Sequence, residues 1–422
     1  MTIKRQSLML LPMLSVALGV CTYYAAAQTA APVLTTLHSF HGATRDGSAP
    51  ISGVAIGAGG VLYGTTGNGG PPNLGTVFSL TRPSSPGGSW SEIEIYSFSG
   101  PDGAVPVTTL AIGSGEVLYG ATAQGGTGSC SGGCGAVFSL ARSSGTAWTE
   151  TVLYSFTGGS DGSSPTGLAL GSHGVLYGTT NNIASPGVGT VFSLTPPAEP
   201  GGTWTENVLH AFSGPDGGDP VGGVVQAGGG ALYGTTSSGG ATDVGVVFRL
   251  APPASAGGAW VETVLHSFTG ADGAFPSAGV AIGSGGILYG TTSLAGSFGD
   301  GTAYALAPPV SGSGGAWTIT VLHTFSGSDG NSPAAPLAIG SGGVLFGTTT
   351  AGGAANLGTV FALLPPATTG GAAWTETVLH SFTGDPQEGS APYAGLAIGN
   401  GALFGTTTSG GTANLGTVFA LR

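Results

Sequence analysis

The chain has very little charge. Only 6% of its 422 residues are Asp, Glu, Lys or Arg, and no lysine follows Lys4. The few arginines beyond residue 27 (Arg45, Arg82, Arg142, Arg249 and Arg422) are scattered, against 19 acidic residues in the whole chain. A phosphate-backbone binder needs a clustered basic face, so nucleic acid is excluded as a partner. The same scarcity excludes an arginine cluster gripping an acidic substrate. Cysteine is also rare, with Cys21, Cys130 and Cys134 only, too few for a disulfide-built scaffold. Cys130 and Cys134 have no nearby His or third Cys, so they do not read as a metal site. The one long apolar stretch, Leu8–Val20, is too short to span a bilayer, and no membrane span is expected in the mature chain.

That stretch follows Lys4 and Arg5 and precedes the small residues Ala25-Ala26-Ala27. This is the order of a secretory signal peptide, with cleavage expected after Ala27 and residues 28–422 as the mature domain. A competing reading makes Cys21 a lipid-modified N-terminus, although Val20 stands where a small residue is expected. Cleavage after Ala27 removes two basic residues and no acid, leaving 5 basic against 19 acidic residues, a formal charge of −14. In an oxidising compartment Cys130 and Cys134 are expected to pair locally.

What the chain has in abundance is glycine (84) and proline (27). Without a period this would read as disordered low complexity, but here the glycines keep phase with aromatic and β-branched residues. A Leu-Tyr/Phe-Gly-Thr/Ala-Thr block places its glycine at Gly64, Gly120, Gly178, Gly234, Gly290, Gly347 and Gly405. A Gly-Thr-Val-Phe block ends at Phe78, Phe138, Phe192, Phe248, Tyr304, Phe361 and Phe419, and a Leu-His-Ser-Phe block at Phe40, Phe98, Phe156, Phe212, Phe268, Phe325 and Phe382.

Each unit reads as four short strands, for example 224–226, 231–236, 245–250 and 260–268. Seven such units describe an all-β, seven-bladed propeller of four-stranded antiparallel blades. The order of blocks is offset: the mature chain opens with a lone fourth strand, 33–40, and closes with a third strand, 416–421. Pairing of the N-terminal strand onto the last three strands closes the ring and removes its free edges. On the fourth strand, strict alternation places Trp204, Glu206, Val208, His210 and Phe212 on one face and Leu209 and Ala211 on the other.

The pattern Gly-Xaa-Leu-Tyr/Phe-Gly-Thr-Thr, then Gly-Gly, then Gly-Thr-Val-Phe and close variants, as in 230–240 with 245–248 and 343–353 with 358–361, resembles the bacterial GloVer tandem-repeat family over essentially the whole mature chain. The resemblance implies an exported or surface protein, often with a C-terminal anchor, and assigns no activity to the repeat. This chain stops at Leu421-Arg422 directly after its last strand, so the expectation is a secreted or periplasmic protein rather than an anchored one.

The loops from strand four to the next strand one and from strand two to three should emerge together. That face collects Asp46, Asp102, Asp161, Asp216, Asp272 and Asp329 in Asp-Gly turns, with Asp385 displaced in the last copy. They form the candidate ligand-binding ring, yet Asp-Gly is also simply good turn chemistry. With one acid per turn, no calcium site tighter than about millimolar is expected. Neither a metal nor a cofactor is read from the sequence. The histidines His38, His210, His266, His323 and His380 are read as packing residues, since Tyr96 and Tyr154 replace them in two copies and equivalent outer-strand positions cannot converge. Glu92, Glu150, Glu206, Glu262 and Glu376 read as strand-edge positions because Ile319 stands there in one copy. The Thr pairs, Thr65-Thr66 through Thr406-Thr407, read as strand residues whose hydroxyls satisfy turn backbone, with a ligand mouth as the alternative.

No catalytic residue is assigned. The favoured reading is a non-catalytic, monomeric binding or structural module whose partner is a glycan or a surface protein. The alternative is a secreted hydrolase or lyase with its site at the central channel.

Overall fold

The computed structural model describes residues 31–42, 46–85, 87–143, 147–181, 188–199, 201–255, 257–310, 315–367 and 373–422. The signal-peptide segment, Cys21 and Arg45 lie outside the described residues.

Seven antiparallel sheets form a propeller, six of them four-stranded and the blade 2 sheet five-stranded because its first strand is split in two. In blade 4 the strands are Val225–Gln226, Leu232–Thr236, Val246–Ala251 and Val261–Ser267, each within two residues of the ends read from the sequence. Blades 1, 2, 3, 5 and 6 span residues 55–97, 104–155, 165–211, 281–324 and 338–381, and blade 7 joins 397–421 to 34–39. The N-terminal strand, Leu34–Ser39, pairs antiparallel with the last strand, Thr417–Leu421, with Leu34 opposite Leu421 and Ser39 opposite Thr417. It is the outermost strand of blade 7 and covers the edge that Thr417–Leu421 would otherwise expose.

Sheets packed face to face bury the alternating residues of both partners, so the core is divided into seven inter-blade layers. Each layer is pinned by an aromatic pair. Phe212 meets Phe248 of the next blade edge-on with centroids 5.1 Å apart, and the pair recurs from Phe40–Phe78 (5.2 Å) round to Phe382–Phe419 (5.5 Å). The strand-two glycines make room for these rings: a Cβ on Gly234 would lie 2.6 Å from the Phe248 ring.

The fourth strand departs from strict alternation. His210 pairs with Val191 but Val208 pairs with Phe192, so Leu209 is an extra residue in a bulge. A bulge reverses the facing of what lies beyond it. Val208 is accordingly 38% exposed, while Leu209, set on the face opposite Phe212 by alternation, packs on the same core as Phe212, Val224 and Phe248.

Candidate functional site

The strand 4–1 loops and the strand 2–3 loops do share a face, because they pair. Gly47–Ser48 ladders with Asn68–Gly69, and Gly389–Ser390 with Ser409–Gly410. Single bridges join Gly218 to Ser238, Ala274 to Leu294 and Asn331 to Ala351.

Each turn aspartate sits on this face with two sets of donors. Asp216 accepts the Ser213 N–H at 2.8 Å and lies 3.0 Å from the His210 Nε2 at the end of the preceding strand. Asp272 and Asp329 repeat this with His266 and His323, Asp46 with His38 and the His41 N–H. Asp102 and Asp161 take the phenol hydroxyls of Tyr96 and Tyr154 instead. His and Tyr exchange freely here because either ring reaches the carboxylate while packing edge-on to the next aromatic of its strand. Burial alone would push Asp216 up, but the Ser213 N–H and hydroxyl and the nearby His210 outweigh it and hold the carboxyl below its usual value.

Asp385 does not hold the seventh place. Glu388 bonds to His380 and to the Thr383 hydroxyl, while the Asp385 carboxylate accepts the Gln387 N–H at 2.8 Å. The signal was present in the sequence: Glu388-Gly389-Ser390-Ala391-Pro392 repeats Asp46-Gly47-Ser48-Ala49-Pro50, and the longer glutamate side chain still reaches its histidine.

The strand-four glutamates are neighbours of these pairs, across the blade seam. His38, Asp46 and Glu92 place one ligand atom each within 4.8 Å of one another, as do His323, Asp329 and Glu376. Equivalent positions stay apart, but unlike positions of adjoining blades meet, which single-copy reasoning missed. Burial, reinforced by the facing aspartate, raises Glu150, Glu206, Glu262 and Glu376 to about 7. One oxygen of each is buried without a hydrogen-bond partner among the described residues. The carboxyl, placed between an Asp–His or Asp–Tyr pair and an apolar layer, takes up a proton as pH falls below about 7. In the blade 4–5 seam Ile319 packs into the same layer without a charge.

The Thr pairs are buried, not at a mouth. Thr235 donates to the Ala278 carbonyl of the next blade at 2.7 Å, and Thr236 to the Ser238 carbonyl of its own turn at 2.9 Å. Cys130 and Cys134 are joined within the strand 2–3 loop of blade 2, with Cα atoms 5.1 Å apart.

The central channel, about 230 Å³, is walled in all seven blades by the segments that lead into the first strands, and in blade 3 by the strand itself, through residues such as Ser52, Thr108, Gly167, Gly222, Ala278 and Gly395. Among the described residues its wall contains no Asp, Glu, His, Lys or Arg, and Tyr393 is its one titratable side chain.

Among the described residues, the loop face of blade 5 departs from the repeat with exposed apolar side chains. Phe275, Leu294 and Phe298 are 38%, 46% and 66% exposed. Leu294 is bonded to Ala274, beside Phe275, and Ala295 to Gly299, beside Phe298, so the three belong to one paired loop unit. In blades 1, 4, 6 and 7 Leu294 is matched by Asn68, Ser238, Ala351 and Ser409, and Phe298 by Pro72, Thr242, Ala355 and Ala413. Sequence reasoning passed over them because it looked for repeated residues, and the signal is their failure to repeat.

Seven seam-locked blades around a channel without acids or bases define a tandem-repeat β-propeller. The chain belongs to the Gloeobacter/Verrucomicrobia repeat family, which matches residues 21–203 and 187–419. Comparison with curated proteins gives no significant match. Among solved structures, the chain is similar to the extracellular domain of the putative one component system BT4673 from B. thetaiotaomicron, with TM-score 0.54 and 10% identity over 90% of this chain and 40% of that one. It is also similar to polysaccharide lyase Uly1, with TM-score 0.51 and 12% identity over 89% and 90% of the two chains. At these identities the likeness is one of fold. No helix among the described residues is long and apolar enough to cross a membrane.

Proposed function

We propose that the protein is an exported, non-catalytic propeller that binds a neutral glycan on its loop face, at blade 5. The observation that carries this reading is the exposed set Phe275, Leu294 and Phe298, three large apolar side chains on one paired loop unit, with no phenylalanine at the equivalent places of the other blades. Exposed apolar groups gathered on a rigid surface mark interaction sites. The surroundings are hydroxyl-rich and nearly free of positive charge, with Ser293 and Ser297 in the same loop. A sugar chain offers apolar ring faces to the phenyl groups and hydroxyls to the serines, and does not need a counter-charge. A channel wall without acids or bases supports a binding role over a hydrolase or lyase, and the signal-peptide pattern supports export.

The test is a glycan array followed by calorimetric titration of the best binder, with Phe298→Ala and Phe275→Ala alongside. Saturable binding weakened by both variants is expected. Binding only to a secreted protein, or turnover of a polysaccharide by the purified chain, would replace this reading.

A further inference from the structure

Six of the seven blade seams are filled by a tryptophan. Trp148, Trp204, Trp260, Trp317 and Trp374 sit at the start of their fourth strands and pack on the second-strand tyrosine of the preceding blade, with centroids 5.9 to 6.2 Å apart. Trp90 packs likewise on Phe404, across the seam between blades 7 and 1, at 6.2 Å. The indole also covers the isoleucine that ends strand one. Ile56 and Trp90 share a layer, as do Ile112 and Trp148, Ile282 and Trp317, and Ile339 and Trp374.

The seam between blades 6 and 7 has Pro32 where the tryptophan belongs. Its aromatic acceptor is present as Phe346, and no ring packs on it among the described residues. Its isoleucine is Ile398, which is 44% exposed and absent from the layer its counterparts join. A cleft of about 270 Å³ opens between Pro32, Phe346, Leu379, Ile398 and Leu403, with Arg422 also in its wall. Guanidinium groups attend the ring in two other seams, Arg82 over Trp90 at 5.7 Å and Arg142 over Trp148 at 4.8 Å.

We propose that this seam is a binding site for a small planar aromatic molecule of the indole type, seated where six other seams hold the chain's own tryptophan. The chain itself specifies the ligand chemistry. An apolar floor of Phe346 and Leu379 and an aliphatic wall of Ile398 and Leu403 bury the ring, while Arg422 offers a cation to its face. The site is independent of the glycan face, being built from strand ends at one seam.

Indole is the probe, titrated into the full processed chain by calorimetry and by saturation-transfer NMR. A saturable Kd of about a millimolar or tighter suits a ligand of this size. Pro32→Trp supplies the missing ring in place and should weaken indole binding at least about tenfold while unfolding remains cooperative. Ile398→Arg, at an exposed position, should weaken it comparably without refilling the cleft, and serves if Pro32→Trp folds poorly. Absence of saturable binding, including through occupation of the cleft by residues before Ala31, overturns the proposal. So does binding that survives either variant in folded protein.

Discussion

At the scale of single residues, the repeat supplies its own controls. Tyr304 stands where six copies have Phe, and its hydroxyl is fully buried without a partner among the described residues. An unpaired buried hydroxyl costs about 1–3 kcal/mol, so Tyr304→Phe should stabilise the protein by about that amount, read as a higher denaturation midpoint at unchanged slope. The turn acids make a graded case. From turn chemistry alone Asp216→Asn is silent, but the His210 partner seen at 3.0 Å adds a cost. Asp216→Asn should lose about 0.5–1 kcal/mol and Asp216→Ala about 1–3. Gly217 has φ 127°, and a Cβ there would lie 2.7 Å from the Thr236 hydroxyl. Gly217→Val should therefore cost more than either, about 2–4 kcal/mol from strain and crowding together. The seam glutamates set the pH profile. Burial first, then the facing aspartates, raise them from 4.5 to about 7, so the folded state holds protons that the unfolded state releases. Their contribution is complete below about pH 4.5 and is lost as pH rises through 7. Asp216 and Asp272, held below 3.8 by their hydrogen bonds, act oppositely and lose theirs as the solution becomes strongly acid. The melting temperature should thus be higher at pH 5 than at pH 8, and Glu206→Gln should flatten that slope. A profile that rises from pH 5 to 8 would refute the assignment.

At the scale of the element, the residue before each loop proline is the least expected feature. Ala49, Val105, Ser164, Asp219, Phe275, Ser332 and Ala391 all have φ between 51° and 56°, a left-handed conformation that non-glycine residues avoid. Each is clamped on both sides. The Val105 N–H donates to Leu74 O of the preceding blade at 2.8 Å, and the Ala49 carbonyl accepts the Gly67 N–H of its own blade at 2.9 Å. Repetition of the clamp over-determines the strained backbone. Asn tolerates this region better than a β-branched residue does. Val105→Asn should gain about 1 kcal/mol, and the reverse-type change Ser164→Val should lose a similar amount. Both would be read from denaturant midpoints, and equal stabilities would contradict the strain. Strand existence, blade number and the offset closure were legible in the sequence because each rests on a motif repeated seven times in phase. The bulge at Leu209 was not, because a period-two pattern cannot announce an extra residue. The seam clusters were not either, because Glu206 meets Asp161 only after the blades stack. The exposed phenylalanines of blade 5 were legible, but only as departures from the repeat.

At the scale of the whole molecule, the ring depends on one short strand from the opposite end of the chain. Leu34–Ser39 covers the edge of Thr417–Leu421 along its length, and Val33 and Arg422 exchange backbone hydrogen bonds at 2.8 and 3.1 Å. The same segment inserts Leu37 and Phe40 into the layer with Leu62, Phe78 and Val418, where Phe40 is wholly buried. Truncating one buried Phe or Leu typically costs about 2–5 kcal/mol, and whole domains rest on about 5–15. Loss of the entire strand therefore removes a share comparable to the total, and it also exposes a flat apolar edge carrying Val418 and Phe419. Deleting residues 31–42 should yield aggregated protein or one without a cooperative melt. Adding a peptide of residues 31–42 should restore part of the transition by pairing in trans, since the register is fixed by the bulge between Thr36 and His38. If the truncated chain elutes as a monomer and melts like the intact one, blade 7 is stable with three strands and the N-terminal strand is ornament rather than closure.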